Sequence, residues 1–116
     1  MGNQSFISDY TWTNRAKIVT YNQNPYRGSV MMPEAHYSVV NNPNDIHDNF
    51  STCKDRSGNG NMMVVNGSYK MGAVVWQQKI QVEPSKTYLF SCWLSSAHPA
   101  SPAQLKFSIN GTLIGN

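Results

Sequence analysis

The chain has 116 residues, nine Lys+Arg against six Asp+Glu and a formal net charge of +3, enough for one domain with a modest core. Only 13% of residues are charged, about half the ~25% usual for soluble domains, and thirteen Asn and thirteen Ser carry the polarity instead. The cations stand singly at Arg15, Lys17, Arg27, Lys54, Arg56, Lys70, Lys79, Lys86 and Lys106, which argues against a phosphate-tracking stripe, and no apolar stretch nears the ~20 residues of a membrane helix.

Residues 2–15 are polar with interspersed Phe6, Tyr10 and Trp12, spaced to share a face of an extended segment. Residues 16–21 read as a weak strand. Residues 22–33 read as a loop, broken at Asn24-Pro25 and Arg27-Gly28. A short strand follows at 36–40 and ends at Asn41-Asn42-Pro43-Asn44-Asp45. A long polar connection over 46–61 closes on Ser57-Gly58-Asn59-Gly60-Asn61, whose glycines can adopt φ > 0. The Met62-Met63-Val64-Val65 run is too short for a helix between such breakers and reads as a buried strand before Asn66-Gly67.

The second half is more regular. Over 74–82, Val74, Trp76, Ile80 and Val82 face one way and Gln77, Lys79 and Gln81 the other; Trp76 is assigned to the core. Glu83-Pro84-Ser85-Lys86 reads as a turn. Residues 88–95 form another strand, with Tyr88, Phe90, Cys92 and Leu94 on one face and Leu89 and Trp93 on the other. After a Pro-rich loop, Leu105, Phe107 and Ile109 alternate up to Asn110-Gly111, which fits a two-residue hairpin turn. A return strand begins at Thr112-Leu113-Ile114. The pattern is all-β, with a ladder left short at the final hairpin.

Cys53 sits in a polar loop and Cys92 in an apolar strand. They could pair, but nothing in their spacing enforces disulfide geometry. The favoured assignment is one loop thiol and one small core residue. Met1-Gly2-Asn3-Gln4-Ser5 lacks the basic start and apolar core of a signal peptide; if the chain is secreted, the expectation is that an export signal has been cut away or lies upstream.

The acids are Asp9, Glu34, Asp45, Asp48, Asp55 and Glu83, all in loops or turns. A glycosidase needs two carboxylates about 5–9.5 Å apart across the scissile bond, and no cleft motif points there; nor is there a Gly-x-Ser-x-Gly nucleophile. Asp45-Ile46-His47-Asp48 with His36 matches no zinc spacing. A loop that caps its own backbone is the favoured alternative.

Several segments together resemble one known module: Ser8-Asp9-Tyr10, Phe50-Ser51-Thr52-Cys53, Gly58-Asn59-Gly60-Asn61-Met62-Met63-Val64-Val65-Asn66-Gly67, Val75-Trp76, Tyr88-Leu89-Phe90-Ser91-Cys92-Trp93 and Gln104-Leu105-Lys106-Phe107-Ser108-Ile109-Asn110-Gly111. Their order is similar to that of carbohydrate-binding-module-like jelly-roll domains of secreted, surface-associated multidomain proteins from Bacteroidetes-type bacteria. The resemblance implies an antiparallel β-sandwich of the jelly-roll type, galactose-binding-like in architecture. Residues 1–116 would be a single module, a fragment of a larger exported protein that lacks the family's opening and closing strands. It also implies a structural calcium. Here Asp55 and the loop at 59–61 could supply only part of the roughly six to eight oxygens such an ion takes.

Sugars offer C–H faces that stack on aromatic rings and hydroxyls that pair with amide, acid and guanidinium groups. The residues placed to do this are Trp93, Tyr26, Arg27, Tyr69, Arg56 and Trp12. Trp93 either faces outward as a binding ring or packs beneath a loop. Trp12, with Tyr10, equally suits covering one end of the sandwich. The resulting expectation is a non-catalytic glycan-binding module of a secreted or cell-surface protein, with polysaccharide and neighbouring domains as partners and no nucleic acid. The competing expectation is a structural spacer or adhesion domain with protein partners.

Overall fold

The computed structural model describes residues 5–14, 20–24 and 27–116. It is mostly strand with almost no helix, 25% and 3% of residues respectively, as an all-β reading requires. Its centre is a three-stranded sheet ordered β1 (Thr11–Trp12), β4 (His36–Val40), β5 (Met62–Asn66). The β4–β5 pair is antiparallel in unbroken register from His36↔Asn66 to Val40↔Met62, and β1 runs parallel to β4. Two hairpins form separate sheets: β2 (Thr20–Asn24) with β3 (Arg27–Val30), whose Val30 packs against the core of the central sheet, and β6 (Phe107–Ile109) with β7 (Thr112–Gly115).

Strand alternation gives the central sheet two different faces. Ser38, Val40, Met62 and Val64 share one side, where Val40 and Val64 join Met32, Ile46 and Phe50 in a small buried cluster. Tyr37 lies on the other side, in an aromatic group in which its ring meets Phe6 edge-on at 5.8 Å and Trp12 at a tilt at 5.4 Å.

Ile46, His47 and Phe50 are buried although all three fall in the stretch expected to be a polar connection. Pro43–Asp45 forms one 3-10 turn, capped by Asn42, whose Oδ1 accepts from Asn44 N. Asn44 Nδ2 donates to the carbonyls of Asp48 and Phe50. The loop therefore satisfies its own backbone, as expected, and that lets its three less polar side chains turn inward.

Strands expected at 36–40 and 62–65 form as expected, the second one residue longer. The turn at Pro84-Ser85 is present, with Ser85 at φ 61°. Asn110 and Gly111 both adopt positive φ, 50° and 78°, and close the β6–β7 hairpin between Ile109 and Thr112. The weak strand expected at 16–21 falls mostly outside the described residues. The expected loop at 22–33 instead contains the second arm of a hairpin, with Asn24 paired to Arg27.

The larger correction concerns residues 74–82 and 88–95. Their only ladder contact among the described residues is a bridge from Gln77 to Ile7. Ile80, Val82, Tyr88, Leu89, Phe90 and Leu94 are exposed, and so is Cys92, which was assigned to the core. Trp76 is also outside the core: it is 38% exposed and stacks on Phe6. Alternation marks a chain able to sit in a sheet, but a strand also needs a neighbour for its N–H and C=O groups, and no described strand offers one here. The radius of gyration, 16.2 Å, exceeds the ~13 Å of a compact chain of this length, in keeping with these extended stretches.

Candidate functional site

Because β4 and β5 are antiparallel, the end of β4 and the start of β5 lie together. The segments beyond them, 41–42 and 58–60, therefore converge at one end of the sheet. With Thr52, Cys53 and Lys54 they line an open pocket of about 210 Å³. Most of its lining is apolar; the polar residues along it are the neutral Asn41, Asn42, Thr52 and Asn59 and the cationic Lys54.

The loop at 55–60 is shaped by Asp55. Its carboxylate accepts from Ser57 Oγ at 2.7 Å, Gly60 N at 2.8 Å and Ser57 N at 3.2 Å, while its carbonyl accepts from Gly58 N. The Ser57 hydroxyl and the Gly60 amide, the stronger two of these bonds, hold the Asp55 carboxyl below the ordinary carboxylate range. Gly58 uses the left-handed freedom expected of it, at φ +88°. Gly60 is required for a different reason: a Cβ there would lie 2.7 Å from Asp55 Oδ2. The loop offers a cation one carboxylate, the Ser57 hydroxyl and the Asn59 amide, against the roughly six to eight oxygens calcium requires. The carboxylate is already committed to three donors. Nor is there a group of three or more His, Cys, Asp or Glu suited to a metal among the described residues. These residues do not fit a calcium site, and Asp55 acts as the organiser of its turn.

With Asp55 turned into the loop, the next side chain turns out. The Arg56 guanidinium carbon lies 4.6 Å from the centre of the Trp93 ring. Trp93 is 74% exposed, which decides between the two placements open to it: it is not packed beneath a loop. Its segment is fastened four residues later, where Ser51 N donates to the Ala97 carbonyl at 2.7 Å and Ala97 packs against the buried cluster.

The other candidates are not gathered here. Trp12 is half-exposed and leans on Tyr37, near the opposite end of β4. Tyr69 is 89% exposed in the turn after β5, again at that far end. Tyr26 lies outside the described residues; Arg27 lies in β3, and its side chain is outside them too. Sequence reasoning missed Asn41 and Asn42 as pocket walls. The signal available was that both abut a strand end that pairs with the strand following the 57–61 loop.

No protein-family model, no curated protein and no solved structure matches this chain.

Proposed function

We propose that this chain is a non-catalytic glycan-binding module of an exported, surface-associated multidomain protein, with a β-sandwich of the jelly-roll type as its full architecture. The observation that carries it is the exposed Trp93 indole, with Arg56 over its ring from the loop that also borders a pocket whose lining includes Asn41, Asn42, Thr52 and Asn59. A pyranose can stack its C–H face on the free side of the indole while its hydroxyls pair with Asn and Thr groups. An open site with one ring and few hydrogen bonds suggests a Kd on the order of millimolar, strengthened by repetition along a polymer. Among the described residues, no helix is long and apolar enough to cross a membrane.

The test is affinity electrophoresis through gels containing soluble polysaccharides, comparing the chain with Trp93→Ala. Retardation of the native chain and its loss in the variant is the expected result. Because Trp93 is exposed, the substitution should cost under about 1 kcal/mol of stability, whereas a core Trp would cost about 3–5. Absence of retardation by any polysaccharide, or unfolding of the variant, overturns the proposal.

A second reading, a spacer or adhesion domain with protein partners, is favoured by the number of large apolar side chains left exposed between residues 80 and 94, namely Ile80, Val82, Leu89, Phe90 and Leu94, since apolar surface beyond scattered single residues marks contact sites. It predicts that Leu89→Ser with Leu94→Ser abolishes a protein association, read by light scattering, and leaves glycan retardation intact.

A further inference from the structure

We infer that the Arg56–Trp93 edge of this site selects anionic sugars, units bearing a carboxylate or a sulfate ester, over neutral ones. This rests on the glycan-binding proposal above and narrows its ligand class. The Arg56 guanidinium carbon sits over the Trp93 ring, 4.6 Å from its centre, and a cation–π contact of this kind consumes none of the N–H donors of the planar guanidinium fork. That planar fork is the geometry that grips an oxyanion through two parallel hydrogen bonds. The indole holds the fork still, so less side-chain freedom is lost when an anion arrives.

The surrounding charges leave the fork unspent. Asp55, the adjacent acid in sequence, points its carboxylate into three loop donors. The ion pair of Lys86 with Glu83 lies elsewhere. Among the described residues neither Arg56 nor Lys54 has a carboxylate partner. Two exposed cations thus flank an internally satisfied acid, and Lys54 stands on the pocket wall beside the amides that would receive sugar hydroxyls. A neutral glycan would leave both cations without a counter-charge.

The experiment measures binding of an oligouronate, its fully methyl-esterified form, dextran, dextran sulfate and polyglutamate, at 50 and 500 mM salt. The expected result is at least tenfold tighter binding of the acid than of its ester, of dextran sulfate than of dextran, or both, with most of the difference lost at high salt. A response to uronate alone identifies the carboxylate as the recognised group, and to dextran sulfate alone the sulfate. Arg56→Gln should bring the ratio toward one and Arg56→Lys should fall between, since it keeps the charge but loses the fork. Lys106→Gln, which removes the same charge from β6's approach, should leave the ratio unchanged. Equal binding of charged and neutral members, still dependent on Trp93, overturns this inference and leaves the glycan proposal standing. Polyglutamate bound as tightly as the anionic sugars, or an equal fall in the ratio with Lys106→Gln, overturns it as mere charge attraction. Failure of every glycan to bind overturns both.

Discussion

Asp9 and Val74 are joined twice: Asp9 N donates to the Val74 carbonyl, and Val74 N donates to the Asp9 side-chain carboxylate, each at 2.8 Å. Nearby, Ile7 and Gln77 exchange backbone hydrogen bonds in both directions, and the Phe6 and Trp76 rings stack at 4.0 Å within 9° of parallel. Sixty-odd residues of chain are thereby closed across one seam, which fastens the segment after β5 to the aromatic face of the sheet.

Trp76→Ala should open that seam. The ring is partly exposed, so the loss is smaller than for a buried Trp, about 1–3 kcal/mol. Thermal melting should show the lower stability, and amide exchange should quicken at Ile7, Asp9, Val74 and Gln77 ahead of β4 and β5.

Ile46 carries the opposite weight. Among the described residues it is fully buried in a cluster of five apolar side chains with Val30, Met62 and Ala97 packed against them, so the cavity left by Ile46→Ala lies in a small core. A loss of about 2–5 kcal/mol is expected, measured by denaturant unfolding, and that is a large part of the stability of a small domain.

Gly60→Ala tests the Asp55 turn. The added methyl would meet the Asp55 carboxylate, so the end of that side chain must shift away from its donors. Displacing Asp55 releases the donors that hold its carboxyl acidic, so its titration, followed by carboxyl NMR shifts, should move upward in the variant. A folded-state pKa that is depressed adds stability above the ordinary carboxylate pKa and loses it as pH falls through the depressed value. The native chain should lose this contribution only in strong acid.

His47 sets a second pH dependence. Burial holds its imidazole below the ordinary value of 6.5; the nearby Asp48 charge opposes this and His98 adds to it. Its Nδ1 accepts from Asn49 N, and its ring stacks on Phe50 at 4.5 Å, an arrangement that belongs to the neutral form. The unfolded chain therefore takes up the proton first. Stability is fully present above about pH 6.5 and declines as pH falls below it toward the depressed value. The melting temperature should drop between pH 7.5 and 5.5, and His47→Gln should flatten that slope.

What was legible in the sequence was local. Asn110-Gly111 dictates its turn because both positions need φ > 0, and Met62 through Val65, hemmed by breakers, could only be a strand. The core contribution of Ile46 and Phe50 was hidden because the intervening Asn and Asp suggest solvent, while in fact they cap the backbone that turns those side chains inward. The strands expected at 74–82 and 88–95 show the converse: side-chain alternation is written in one segment, but pairing needs a partner elsewhere. For the site, Trp93 and Arg56 were each visible as residue types, whereas their contact across 37 positions, like the Ser51–Ala97 hydrogen bond between the same two segments, is a long-range pairing that no local pattern encodes.

The three indoles give the most direct measurement. Trp12 leans on Tyr37, Trp76 lies on Phe6 and Trp93 lies under Arg56, so their side-chain N–H signals report three separate places in one proton–nitrogen spectrum. Titrating an acidic polysaccharide fragment should shift the Trp93 signal progressively and leave the Trp76 signal in place. A titration in which only Trp12 or Trp76 moves, or in which none of the three does, would contradict a sugar site at the Arg56–Trp93 edge.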